Sequence, residues 1–183
     1  MDKPKSSSSL LRFKTFLDFK NFVEQYKLGL VLYGRYPFNQ DKNHYLFILN
    51  VVDDIAYFLV ATSKVDNVLQ WARGAGELSS VVVLDPNSLT FLTQKTALNC
   101  GKIQKITIRE LFEKGVNEVK GNILKHGYII LNILLGVLNS ETAKPYLKEK
   151  VILPYCRLFC NSQENSVLIK KFCKVCKNNS WIR

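Results

Sequence analysis

Tyr45-Leu46-Phe47-Ile48-Leu49-Asn50-Val51-Val52-Asp53-Asp54-Ile55-Ala56-Tyr57-Phe58-Leu59-Val60-Ala61 holds two apolar runs around one acidic pair. Each run has the length of a strand, and Asp53-Asp54 is a tight turn, although it lacks the Gly of the strongest hairpin signals. Paired antiparallel, Tyr45–Val52 and Ile55–Ala61 bring His44 and the pair Thr62-Ser63 to the same end of the hairpin. Outward from this hairpin, Leu30–Tyr33 reads as a strand before it. Val81–Leu84, Leu89–Leu92 and Ala97–Ile108 read as strands after it, the last bending at Gly101.

Helical spacing frames the strands. Leu11, Phe13, Phe16, Leu17, Phe19, Phe22 and Val23 recur at intervals of three and four, the stripe by which a helix packs on a core. Gly74 and Gly76 make Trp71–Leu78 a flexible loop or broken helix. Thr107 with Glu110 three residues later is a capping-box start for a short helix that Gly115 stops. Val119–Leu138 is predicted as a second helix, and Ser140-Glu141-Thr142 opens a third with Pro145 in its first turns. Strands first and helices last define an α+β arrangement with no internal repeat. Residues 1–9, with four consecutive serines, read as a disordered tail, residues 10–150 as the folded body and residues 151–183 as a basic cysteine-rich tail.

The 183 residues carry 26 Lys or Arg against 15 Asp or Glu, a net charge of +11. From residue 140 onward nine Lys or Arg face three Glu, so +6 of that excess sits in the last quarter. A field of this sign gathers polyanions. The longest apolar stretch, Tyr128–Leu138, is broken by Asn132 and Gly136 and falls short of the roughly 20 residues of a bilayer span. With no secretory segment visible, the expectation is a cytoplasmic protein without membrane partners.

Cys156, Cys160, Cys173 and Cys176 form C-x3-C, a gap of twelve residues, and C-x2-C. Two close thiol pairs joined by a short loop suit a structural zinc ion, and Arg157, Lys171, Lys174 and Lys177 would favour the thiolates. Two disulfides or four reduced thiols are the alternatives, and the missing secretory segment argues against disulfides. Cys100 stands apart as a small core residue.

The order of short strands followed by helices, with the run Ser88–Cys100 after the Gly-interrupted stretch, resembles PemK/MazF-like toxins over about residues 30 to 140. That resemblance implies a small SH3-like antiparallel β-barrel of five or six strands behind an N-terminal helix. It implies a metal-independent endoribonuclease acting on single-stranded RNA, an acidic antitoxin protein as partner, and a homodimer. In the family, an Arg opens the strand that here runs Tyr45–Leu49, and a Thr or Ser closes its partner, the two flanking the scissile phosphate. The matching positions are His44, Thr62 and Ser63. His44 departs from the family: an imidazole can move a proton near neutral pH but is not a permanent bidentate clamp. Arg35, Arg73 and Lys95 are the phosphate-contacting candidates, and Trp71 is available to stack a base. The other class of function is a non-catalytic module binding nucleic acid or protein with a zinc-stabilised tail.

Overall fold

The β3 and β4 strands of the computed structural model, Asn43–Val52 and Ile55–Thr62, form the antiparallel hairpin read from the sequence. The structure describes residues 11–38, 41–161 and 166–179, so the tail expected at residues 1–9 lies outside it. Asp53 and Asp54 take φ of 51° and 63°. Positive φ at both central residues is the mark of a type I′ turn, whose twist matches the strands, and Asp tolerates it better than most residues. The turn is tied down from both sides. The Asp54 carboxylate pairs with Lys20 at 2.7 Å, and its carbonyl accepts the Ile108 N–H at 2.9 Å.

The remaining strands are β1 (Leu11–Arg12), β2 (Leu30–Arg35), β5 (Val81–Leu84), β6 (Thr96–Asn99), β7 (Gln104–Thr107) and β8 (Glu118–Asn122). They assemble in the order β1-β8-β2-β3-β4-β6-β5, and β7 also pairs with β4. The sheet forks at β4: Ile55–Phe58 pair with β7, whereas Ala61 and Thr62 pair with β6. The structure is therefore α+β with an open antiparallel sheet, and the closed SH3-like barrel is not formed. The edge strands of that order, β1 and β5, are not paired with each other. Strands β5, β6 and β7 are only four residues each, and β6 and β7 part around Gly101 to pair with opposite ends of β4. Helix α4 (Gly127–Asn139) packs near that point, and its Gly136 comes so near that an added Cβ would sit 2.9 Å from Cys100 Sγ.

Both faces of the hairpin are covered. Leu46, Ile48, Ala56 and Phe58 pack against Phe19 and Val23 of α1 (Phe16–Gln25) and Ile108 and Leu111 of α3 (Ile108–Glu113). Phe47, Leu49, Tyr57 and Leu59 pack on the other side against α4, α5 (Pro145–Cys160) and α6 (Val167–Asn178). A strand buried on both faces reads as a continuous apolar run, which is what residues 45–61 show. A bulge between Ile48 and Asn50 sets Asn50 opposite Tyr57, on the α5 side.

That placement repairs a defect in α5. Pro154 lies inside the helix and has no N–H to give the Lys150 carbonyl one turn earlier. Asn50, only 4 % exposed, donates from Nδ2 to that carbonyl at 2.7 Å. A second buried polar group, Glu77, accepts the N–H groups of Glu141 and Thr142 at 2.8 Å each and fixes the α4–α5 connection.

Several sequence expectations shift. The aromatic stripe becomes helical only at Phe16, where Thr15 caps the helix by accepting the Asp18 N–H. Trp71–Leu78 is not a loop throughout, because α2 (Val65–Gly74) runs to the first glycine. Leu89–Leu92 is a turn closed by Leu92 N–H to Leu89 O at 2.9 Å, not a strand. The helix predicted from Val119 is instead strand β8 followed by α4. The edge of β2 needs a partner there, and Gly121 is a poor helix former. The capping box at Thr107 and Glu110 is present in both of its hydrogen bonds.

Asn50→Ala should lower unfolding stability by about 1 kcal/mol, because it removes the hydrogen bond that replaces the missing helical partner of the Lys150 carbonyl. In a Pro154→Ala background, whose backbone N–H can reach that carbonyl, the same substitution should cost clearly less. A double-mutant cycle by denaturant titration measures the difference.

Candidate functional site

The open ends of β2, β3 and β4 meet the segment before β6 and leave a hollow of about 390 Å³. His44 is the second residue of β3, opposite Gly34, and Thr62 ends β4 opposite Ala97. His44, Thr62 and Ser63 thus line one cavity, as the hairpin geometry predicts, together with Lys42, Lys64 and Gln94. Tyr33 and Tyr45, opposite one another in the β2–β3 register, lie tilted against each other with centroids 4.8 Å apart along its wall. Tyr45 extends the wall to Phe91 at 5.1 Å, and its hydroxyl donates to the Phe91 carbonyl at 2.9 Å. Burial, with the field of Tyr33 and Glu118, pushes the Tyr45 phenol above its usual range, so it stays a donor at neutral pH.

The hydrogen bond of His44 sets its chemistry. Nδ1 lies 3.2 Å from the carbonyl oxygen of Ala61. A carbonyl only accepts, so Nδ1 carries the proton, and in the neutral ring the lone pair is on Nε2. Nε2 is buried and has no hydrogen-bond partner among the described residues. The Thr62 hydroxyl accepts the Lys64 N–H at 3.2 Å, which leaves its own proton to give. Lys42 and Lys64 are exposed at the rim. The hollow combines a buried lone pair, a free hydroxyl proton and two ammonium groups, a set suited to a phosphodiester.

The other candidates are more dispersed. Lys95 stands between Gln94 and Thr96 and borders an adjoining hollow of about 580 Å³ that also contains Ser63 and Lys64. Its ammonium lies 3.8 Å from Asp85. Arg35 sits one register step beyond His44, opposite Asn43, with its guanidinium on the Asp41 carboxylate. Trp71 and Arg73 are exposed on α2, and Lys102 lies 4.9 Å above the Trp71 ring. Lys42, Lys64, Tyr33 and Tyr45 were not singled out from the sequence. The available signal was a Lys on the chain just outside each member of the His44 and Thr62-Ser63 pair.

Scans against protein-family models, curated proteins and solved structures found no match to this chain.

The structural zinc is corrected. Cys156 is bonded to Cys176 and Cys160 to Cys173. Among the described residues, no group of three or more His, Cys, Asp or Glu could hold a metal ion. The spacing explains the difference. Cysteines four apart on α5 and three apart on α6 each occupy one helix face, and the two faces meet as rungs rather than as a tetrahedron. The tail expected to be a zinc knuckle is therefore the helical hairpin of α5 and α6. The expectation against disulfides fails with it. Such bonds persist under oxidising conditions, which sits against the reducing cytoplasm expected from the sequence. No helix among the described residues is long and apolar enough to cross a membrane.

Thiol titration should find one reactive cysteine, Cys100, in unfolded unreduced protein and five after reduction. In folded protein Cys100 should resist alkylation, because it is fully buried and burial pushes its thiol pKa up.

Proposed function

We propose that the chain is a toxin-like RNA-binding protein whose β3–β4 hollow cleaves single-stranded RNA without a metal. The observation that carries this reading is the His44 ring, which lines the same hollow as Thr62: its Nδ1 proton is held by Ala61 O, and its Nε2 has no partner among the described residues. In the reaction, Nε2 takes the proton of a ribose 2′-hydroxyl as the 2′ oxygen attacks phosphorus. The bond from phosphorus to the 5′ oxygen breaks, and that oxygen leaves with a proton from the Lys64 ammonium or from water. The products are a 2′,3′-cyclic phosphate and a 5′-hydroxyl. Thr62 and the lysines stabilise the charge on the phosphoryl oxygens. Here the histidine supplies proton transfer, whereas the Arg of the resembled family supplies a fixed charge. The same basic rim is complementary to an acidic protein, the antitoxin-like partner that the resemblance implies.

A second reading is RNA binding without cleavage. It is favoured by the burial of Nε2, which requires a local opening before a 2′-hydroxyl can reach it.

The test is a labelled single-stranded RNA. Wild-type protein should release fragments ending in 2′,3′-cyclic phosphate and leave the matching DNA intact. His44→Ala should lower kcat by about 10²- to 10⁴-fold, with a far smaller change in Kd. Salt-sensitive binding with no cleavage would select the second reading, and absence of RNA binding would sink both.

A further inference from the structure

We propose that α6, together with Tyr128 at the start of α4, forms a second single-stranded RNA surface, joined to the His44 hollow by a line of adjoining hollows over β5. This rests on the RNA reading above and extends it to a part of the molecule that lies outside the resemblance.

Lys170, Lys171, Lys174 and Lys177 are all exposed on α6, and the helix contains no acidic residue. No ion pair engages these four among the described residues, unlike Lys20, Lys95 and Lys120. The opposite face of α6, Ile169, Phe172 and Cys176, is buried in the core. The disulfides to Cys156 and Cys160 then fix which way the lysines point. Such a fixed array loses less conformational entropy on binding than lysines on a free tail.

The surface also offers an aromatic platform. Tyr128 is 72 % exposed and borders a hollow of about 420 Å³ together with Asn132, Leu168 and Lys171. Aromatic rings beside cations are how single strands are held without regard to sequence, bases stacked and phosphates paired. Three hollows follow one another between this platform and the hairpin. The hollow of His44 shares Ser63 and Lys64 with that of Lys95. The hollow of Lys95 in turn shares Val83 with that of Tyr128 and Lys171. Asp66 and Asp85 are the acids along this route, the latter beside Lys95.

A phosphate chain with stackable bases fits this track better than an anionic membrane does. The apolar face of α6 is committed to the core and has nothing to insert into lipid. A flat bilayer also cannot follow successive hollows.

The experiment compares binding of single-stranded RNAs of about 4 and about 16 nucleotides, lengths bracketing a typical single-strand site. Wild-type protein should prefer the longer RNA by more than the statistical gain in sites. The variant carrying Lys170→Gln, Lys171→Gln and Lys174→Gln should reduce the long-to-short affinity ratio about tenfold. It should also flatten the salt slope for the longer RNA by about 2, at roughly 0.7 per lost phosphate contact. Tyr128→Ala should lower the ratio about tenfold, and Tyr128→Phe should restore it. A ratio insensitive to the lysine and Tyr128 substitutions, with the short RNA still bound at the His44 hollow, overturns this surface and spares the first reading. Lysine-dependent binding of the longer RNA with no contribution from His44 or Thr62 does the reverse. Lysine-dependent capture by phosphatidylserine vesicles, with the RNA ratio unmoved, overturns the proposal in favour of a membrane.

Discussion

The β3–β4 hairpin has no solvent face, and the rest of the chain is arranged to supply two coverings for it. Leu46, Ile48 and Phe58 need α1 and α3 above them, while Phe47, Leu49 and Leu59 need α4, α5 and α6 below. Burying each such side chain contributes about 1.5–3 kcal/mol, so neither layer is dispensable in a domain of ordinary marginal stability. The type I′ turn at Asp53-Asp54 sets the register of the pair. The bonds from Asp54 to Lys20 and Ile108 bring the upper layer to the same corner. Asn50 does the equivalent below, joining the bulge in β3 to the proline in α5.

The candidate site follows from the same constraint. Covered above and below, the hairpin reaches solvent mainly at its two tips. One tip is the acidic turn, and the other carries His44, Thr62 and Ser63. Backbone pairing determines the state of the imidazole, since the carbonyl that orients it belongs to the strand alongside. Lys42 and Lys64 stand at the rim of this tip, and the net charge of +11 is of the sign that attracts polyanions.

Much of this was legible in the residues, for identifiable reasons. Two apolar runs around Asp53-Asp54 specify a hairpin locally, and the Thr107 and Glu110 spacing specifies a cap locally; both occur as read. The co-location of His44 with Thr62-Ser63 follows from the pairing alone. Features that depend on distant partners were not legible. Val119 and Lys120 form a strand because β2 offers an edge, and nothing near them announces it. A closed barrel was expected from the family resemblance, whereas the strands form an open sheet whose edge strands are β1 and β5. The four cysteines fit zinc by spacing, and only the helices beneath them show that the sulfurs meet in pairs. Glu77 gives no sequence signal, because its partners are backbone N–H groups 64 and 65 residues away.

The lower covering has a consequence for synthesis. Most of its side chains come from residues 129 to 176 and the rest from between Leu84 and Ile123, whereas the hairpin is complete at residue 62. At roughly 5–20 residues per second, a ribosome needs roughly 6–20 s to make the intervening chain. For that interval Phe47, Leu49, Tyr57 and Leu59 belong to a nascent chain with one side unclad. The hairpin that organises the finished molecule is thus open to self-association during synthesis. Rapid translation of the second half, or a chaperone on the first, would favour the yield of native protein more than any gain in final stability.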